Sequence, residues 1–362
     1  MLHRIFIGFF ILTLLSPAPQ ARAQVDPGER STAGNIRFID VHNHLFGMTG
    51  RGGPFGRTAD YAGAARAAVV LMDELGTAKA IVMPPPFTEG QRDVFEAEAF
   101  LSTLSGHPGR FAFMGGGGSL NVMIQQAVKS GKTEAALARR FEARVAEIAA
   151  LGAVGLGELA AEHFSFTPRH PYETAPPDHP LFLLLADLAG RYNLPVDLHM
   201  EAIPRNMPLP DIDRLKGGNN PASLTANIPA FERLLSHNRN ARIIWAHAGW
   251  DNTGCRTVEL MDDLLARHPN LYMSIKFGDD SVEENRPLDR NGNLRPAWLN
   301  LLQKHPDRFL MGMDLFFAPP GSDIRSGPGR TKATRAFLSQ LPEELARRIG
   351  ADNPQHLFPL KR

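Results

Sequence analysis

Cysteine is almost missing from this sequence: Cys255 is the only one in 362 residues, so no disulfide can form within the chain, even in an oxidising compartment. The fold must therefore hold by packing. With no second thiol or partner motif, Cys255 reads as a small, half-buried side chain rather than a ligand or nucleophile. Excess charge of either sign is also lacking, since 39 Lys and Arg face 38 Asp and Glu, a net of +1 with no long run of one sign. That excludes the broad basic face on which non-specific nucleic-acid binding rests, and points to a small-molecule substrate. The leading apolar run, residues 5–15, falls short of the roughly 20 residues of a bilayer span, which disfavours a membrane anchor. His3 and Arg4 precede it, and the small Ala21 and Ala23 follow. Residues 1–23 accordingly read as a signal peptide cleaved near Ala23–Gln24, and the mature protein is expected in the periplasm or secreted.

What is present is a large apolar fraction, 43% hydrophobic residues, enough for one large packed core. After a polar linker at 24–35, the stretch 36–362 alternates strand and helix patterns. Apolar strands are predicted at 36–41, 80–83, 111–114, 153–158, 195–199, 241–247, 271–276 and 309–314. Helices are predicted at 61–75, 94–104, 134–150, 181–192, 230–237, 257–267 and 297–304, with further C-terminal helices at 331–341 and 342–350. Eight such units are the number that closes a parallel (β/α)8 TIM barrel. An open doubly wound sheet would instead carry a spaced glycine phosphate turn after its first strand. Here that strand ends in His42-Asn43-His44, and the bare run Gly115 to Gly118 reads as a flexible loop.

In a barrel the C-terminal strand ends open onto one face, so residues distant in sequence converge there. Those ends carry His42 and His44, Glu158, His199, His247 and Asp314. Strand residues two apart share a side, so His42 and His44 reach one cation while Asn43 points elsewhere. Imidazole and carboxylate donors together suit zinc or a similar divalent ion. Other histidines, among them His107, His170, His179, His237, His268 and His305, lie in loops or at helix ends and read as structural.

Five segments carry a family resemblance: residues 38–44, Gly155-Leu156-Gly157-Glu158-Leu159, Asp197-Leu198-His199, Ala246-His247-Ala248-Gly249 and Gly312-Met313-Asp314. Together with the closing residues 349–358 they resemble the amidohydrolase-related branch of the amidohydrolase superfamily of metal-dependent TIM-barrel hydrolases. The resemblance implies that His42, His44 and Asp314 bind one metal and His199 and His247 a second, with Glu158 bridging. Asp314 is then the expected proton acceptor and donor for hydrolysis of an ester, lactone or amide. The branch also contains one-metal decarboxylases of aromatic carboxylic acids, in which His247 would act on the substrate and Glu158 would be only a neighbour. A barrel kept as a non-catalytic binding protein is the third reading, against which six ligand-type residues stand.

Substrate readers are sought in the loops that follow the strands. Lys276 ends the seventh strand, Arg51 and Arg57 lie in the glycine-rich loop after the histidine pair, and any of them suits a substrate carboxylate. Trp250 just beyond His247 is a candidate aromatic wall, and Phe316 and Phe317 after Asp314 share that reading. The long loops 164–180 and 203–221 read as lids, binding walls or subunit contacts of a homo-oligomer.

Overall fold

A computed structural model describes residues 36–49, 58–278, 280–322 and 328–360. The predicted signal and linker, Arg51 and Arg57 lie outside the described residues. Eight parallel strands form the frame: β1 Phe38–Leu45, β2 Thr77–Val82, β3 Phe111–Gly116, β4 Gly155–His163, β5 Val196–Met200, β6 Ile243–Ala248, β7 Leu271–Ile275 and β8 Phe309–Met311. Each pairs with the next, and Asp40 of β1 pairs with Met311 of β8, so the sheet closes into the expected (β/α)8 barrel. A short strand β9, Leu315–Phe317, continues β8 beyond a break at Gly312 to Asp314 and also pairs with β1.

The outer helices follow the apolar periodicity. Thr257 caps Val258–Arg267 by accepting from the Leu260 amide, and Met261, Leu264 and Leu265 form its buried stripe. Each such side chain contributes about 1.5–3 kcal/mol on burial. Phe231, Leu234 and Leu235 do the same for Ile228–His237. A second apolar cluster joins Ile39, Val41, Ile81, Met114, Ile244 and Leu310 with Leu357 and Phe358 of the C-terminal segment. Strands β2 and β6 lie on opposite sides of the closed sheet, so a cluster shared by both fills the barrel interior, and the C-terminal segment packs against it. The pairing of β1 with β2 shifts register between Asp40 and Asn43. That irregularity lets Ile39 and Val41 join the interior cluster while His42 and His44 face the mouth.

Four expectations need correction. Residues 94–104 form only a 3-10 turn, Ala97–Ala99, and one helical turn, Leu101–Leu104. Glu96 is drawn away to accept from the Gly116 amide and the Ser119 hydroxyl, which leaves no continuous apolar helix face there. A helix absent from the prediction, Leu120–Ser130, buries Leu120, Ile124 and Ala127. Strand β4 runs on to His163 instead of ending at Glu158, because Leu159 to Ala161 continue as buried strand. Lastly, the glycine run is not a loose loop. Gly115 and Gly116 belong to β3, and a Cβ on Gly118 would lie 2.0 Å from the Phe95 carbonyl oxygen, so close backbone approach demands glycine.

Candidate metal centre

All six predicted donors converge at the barrel mouth, and none is more than 5% exposed. His42 and His44 leave β1 on the same side. Asn43 between them turns away and donates to the Ile81 and Asp40 carbonyls, tying β1 to β2. Asp314 arrives through the break after β8, with φ of 55°. Its amide donates to the His42 carbonyl at 2.9 Å, and the Met313 amide donates to Asp40 Oδ1 at 2.9 Å. His247 also has a left-handed backbone, φ 68°. Non-glycine residues in that region cost about 1–3 kcal/mol each, and here both are ligand-type residues.

The two β1 histidines have their tautomers set by their outer nitrogens. His44 Nδ1 lies 3.0 Å from the Met83 carbonyl, which can only accept, so the proton sits on Nδ1. His42 Nδ1 lies 3.2 Å from both oxygens of Asp197, which sets the same tautomer. The Nε2 lone pairs are therefore aimed at carboxylates: His44 Nε2 is 3.3 Å from Glu158 Oε2 and 3.3 Å from Asp314 Oδ1, and His42 Nε2 is 3.5 Å from Glu158 Oε2. On its other side, Glu158 Oε1 lies 2.8 Å from His199 Nδ1 and 3.3 Å from His247 Nε2.

Lone pairs facing carboxylate oxygens in a buried site call for a cation between them. Among the described residues His42 Nε2 has no hydrogen-bond partner, although it is fully buried. Burial pushes the Glu158 carboxyl up, but His42 above all, then His199 and His247, holds it well below the usual range. Burial likewise works against Asp314, yet Lys276 and His44 keep it well below the usual range. Burial lowers the His42 imidazole, but Asp197 and Glu158 outweigh it and hold it well above its ordinary value. Among the described residues two three-donor groups result, His42 with His44 and Asp314, and His42 with Glu158 and His247. The donor set fits a divalent metal. His199 belongs to neither group; its Nδ1 lies 2.8 Å from Glu158 Oε1 and its ring packs edge-on against His247 with centroids 4.7 Å apart.

A cavity of about 380 Å³ opens over these donors, lined by Phe46, Phe166, Trp250 and Phe316, with Lys276 and Arg330 as its cations. Of the predicted readers inside the described residues, Lys276, Trp250 and Phe316 lie here. Lys276 Nζ is 2.5 Å from Asp314 Oδ2 and 3.7 Å above the Trp250 ring, whose Nε1 donates to Asp280 at 3.1 Å. Phe317, by contrast, is buried in the main core.

Several residues at the site escaped the sequence reading. Asp197 stands two residues before His199, and the alternation that pairs His42 with His44 also picks it out. His163, at the true end of β4, has an unpartnered buried Nδ1 and a ring centroid 4.3 Å from that of His199. His170, read as structural, lines the cavity instead. Arg330 Nη1 donates to the Asp314 backbone oxygen from a helix far along the chain, and no local pattern marks it.

A closed (β/α)8 barrel with imidazole and carboxylate donors gathered at its mouth defines a metal-binding TIM-barrel protein. Within that class the chain belongs to the amidohydrolase family, whose family profile matches residues 39–360. No curated protein matches the sequence. Among solved structures the chain is similar to dihydroorotase from Saccharomyces cerevisiae in complex with 5-fluoroorotic acid: 15% identity, 90% of this chain and 85% of that one, TM-score 0.52. It is similar as well to a probable 2-pyrone-4,6-dicarboxylic acid hydrolase from Acinetobacter baumannii: 15% identity, 90% and 100% coverage, TM-score 0.50. A dihydroxybenzoic acid decarboxylase from Polaromonas with bound manganese matches at 16% identity, 90% and 98% coverage, TM-score 0.45. At these identities the likeness is one of fold.

Proposed function

We propose that the chain is a hydrolase of a small ester, lactone or amide that works with two divalent ions, zinc or a similar borderline metal, shared across Glu158. The observation that carries this reading is the setting of that carboxylate, with Oε1 toward His199 and His247 and Oε2 toward His42 and His44. One oxygen toward each imidazole pair suits a bridging ligand. His42, His44 and Asp314 would hold one ion, His199 and His247 the other. When bound, divalent ions supply hydroxide near neutral pH and polarise the electrophile's oxygen.

The chain's own groups do the rest. Asp314 takes the proton of the attacking water at Oδ2 and returns it to the leaving-group atom. Lys276, 2.5 Å from that oxygen, keeps the carboxylate ionised between turnovers. Phe46, Phe316 and Trp250 wall the pocket with rings, exclude bulk water and seat an apolar part of the substrate. Export of the mature enzyme is part of the proposal and rests on His3, Arg4, the apolar residues 5–15 and the small Ala21 and Ala23.

One observation favours a second reading. His42, His44 and Asp314 form a three-donor group without Glu158, as a one-ion decarboxylase of an aromatic carboxylic acid would need, with His247 left to protonate the substrate. Metal analysis combined with a panel of lactones, aryl esters, amides and aromatic carboxylates separates the two. Hydrolysis of a panel member is the expected result. Release of carbon dioxide without addition of water overturns it.

A further inference from the structure

Asp314 occupies irregular backbone at the site. It lies between the end of β8 at Met311 and the start of β9 at Leu315, with φ of 55°. Sheet pairing therefore does not choose how its side chain stands, yet the two carboxylate oxygens have different neighbours. Oδ1 lies 3.3 Å from His44 Nε2 and 3.9 Å from His42 Nε2, whereas Oδ2 lies 2.5 Å from Lys276 Nζ. Something must hold the oxygens in that sense, because half a turn about the terminal bond would exchange them.

The amide side of Asp314 is fixed by β1, through the His42 carbonyl. Its carbonyl side is fixed by Arg330, whose Nη1 donates to the Asp314 backbone oxygen and lies 3.5 Å from Oδ2. One guanidinium nitrogen thus spans the backbone and side-chain oxygens of a single residue, which it can do only while both face it. The platform for that nitrogen is firm. Arg330 sits in the first turn of helix Pro328–Gln340, where Phe337 and Leu338 are buried in the main core and Arg335 Nη1 donates to the Ile36 carbonyl at 3.1 Å. Neutralising Asp314 does not need this second cation, since Lys276 already stands closer. Burial above all lowers the Lys276 ammonium, Asp314 raises it, and Arg330 lowers it again, so the two cations repel. Arg330 also lines the cavity, with 22% of its side chain exposed.

We propose that Arg330 is a positioning residue: by spanning the backbone oxygen and Oδ2 of Asp314 it aims Oδ1 at the metal position and Oδ2 at the attacking water, while Lys276 supplies the neutralising charge. This rests on the reading of Asp314 as metal ligand and proton acceptor. Charge and geometry make opposite forecasts for metal affinity. A cation 3.5 Å from a ligand residue's oxygen repels a divalent ion, so its removal should tighten binding if charge were its whole effect. Loss of a residue that orients a ligand weakens binding instead, by about 10- to 100-fold.

The test is zinc affinity, by competition against a chelator of known affinity, in wild type, Arg330→Ala and Arg330→Lys. Arg330→Ala should bind zinc about tenfold or more weakly. Its kcat for a hydrolysed panel member should fall about 100-fold, as for a displaced catalytic group, with KM little changed. Because the arginine opens on the cavity, guanidinium chloride well below denaturing concentration should restore much of both in Arg330→Ala, and sodium chloride at the same ionic strength should not. Unchanged or tighter zinc binding in Arg330→Ala overturns the inference, as does a loss that free guanidinium leaves unrepaired. Should Arg330→Ala not fold, Arg330→Lys decides, since its ammonium keeps the charge but lacks the fixed guanidinium plane. Weaker zinc binding at an unchanged thermal midpoint then supports the inference, and any other result overturns it. Failure of the hydrolase reading shows separately, as absence of water addition to any panel member, and leaves the zinc comparison standing.

Discussion

Asp197 places both carboxylate oxygens 3.2 Å from Nδ1 of His42, and solvent reaches neither side chain. The contact joins β5 to β1 and leaves His42 Nε2 as the acceptor that faces the other donors. A charged partner on the outer nitrogen makes a histidine a better ligand, and loss of such a partner costs about 10- to 100-fold in metal affinity. Asp197→Asn should weaken metal binding by about that factor, read as competition against a chelator of known affinity, with little change in the far-ultraviolet spectrum. Unaltered affinity would reduce Asp197 to a packing residue.

Lys276 supplies a contrast between metal-free and metal-loaded protein. In the metal-free chain it is the nearest fixed charge opposing Asp314, and removing one partner of a buried pair costs about 3–5 kcal/mol. A metal on Asp314 would take over that role. Lys276→Met should therefore lower the thermal midpoint strongly after chelation and much less with zinc present. An equal loss in both states would mean that Lys276 matters through its packing on Trp250 alone.

Glu173, outside the donor set but within the field of Glu158, gives a pH dependence of stability. It is 1% exposed, and burial lifts its carboxyl from an ordinary 4.5 to about 8, against a hydrogen bond from Asn121. Across that window the folded chain keeps a proton that the unfolded chain has released. Stability from this group is thus complete below about pH 4.5 and is lost as pH rises through about 8. Glu173→Gln keeps an acceptor and a donor but no charge, so the fall in urea midpoint between pH 5 and pH 8 should be smaller than in wild type. A fall of the same size would place the slope on other groups, such as Glu162 and Glu201.

How much of this could be read from the residues alone depends on the range of the physics involved. Strand order is legible because each strand is a short apolar run closed by Pro, Gly, a ligand-type residue or, for the seventh, Lys276, and barrel topology then brings His42, His44, Glu158, His199, His247 and Asp314 together. Helix Leu120–Ser130 was hidden behind the glycine run, whose role is backbone contact with Phe95, visible only in three dimensions. His163 was lost because β4 was ended at Glu158, although Leu159 to Ala161 carry the apolar pattern onward. Asp197 obeys the same two-residue alternation as the histidine pair. Arg330 and Gln91 reach the cavity through loop and helix packing that no local periodicity encodes.

The central claim is that Glu158 is shared between two metal positions. The most direct measurement is the number of metal ions per chain, by elemental analysis after dialysis, in wild type and in Glu158→Ala, alongside hydrolytic rate. The account predicts close to two ions in the active wild type, one or fewer in the variant, and a loss of rate of about a hundredfold or more, as when a transition-state stabilising group is removed. One ion per active chain, with the count and the rate unchanged in Glu158→Ala, would contradict it.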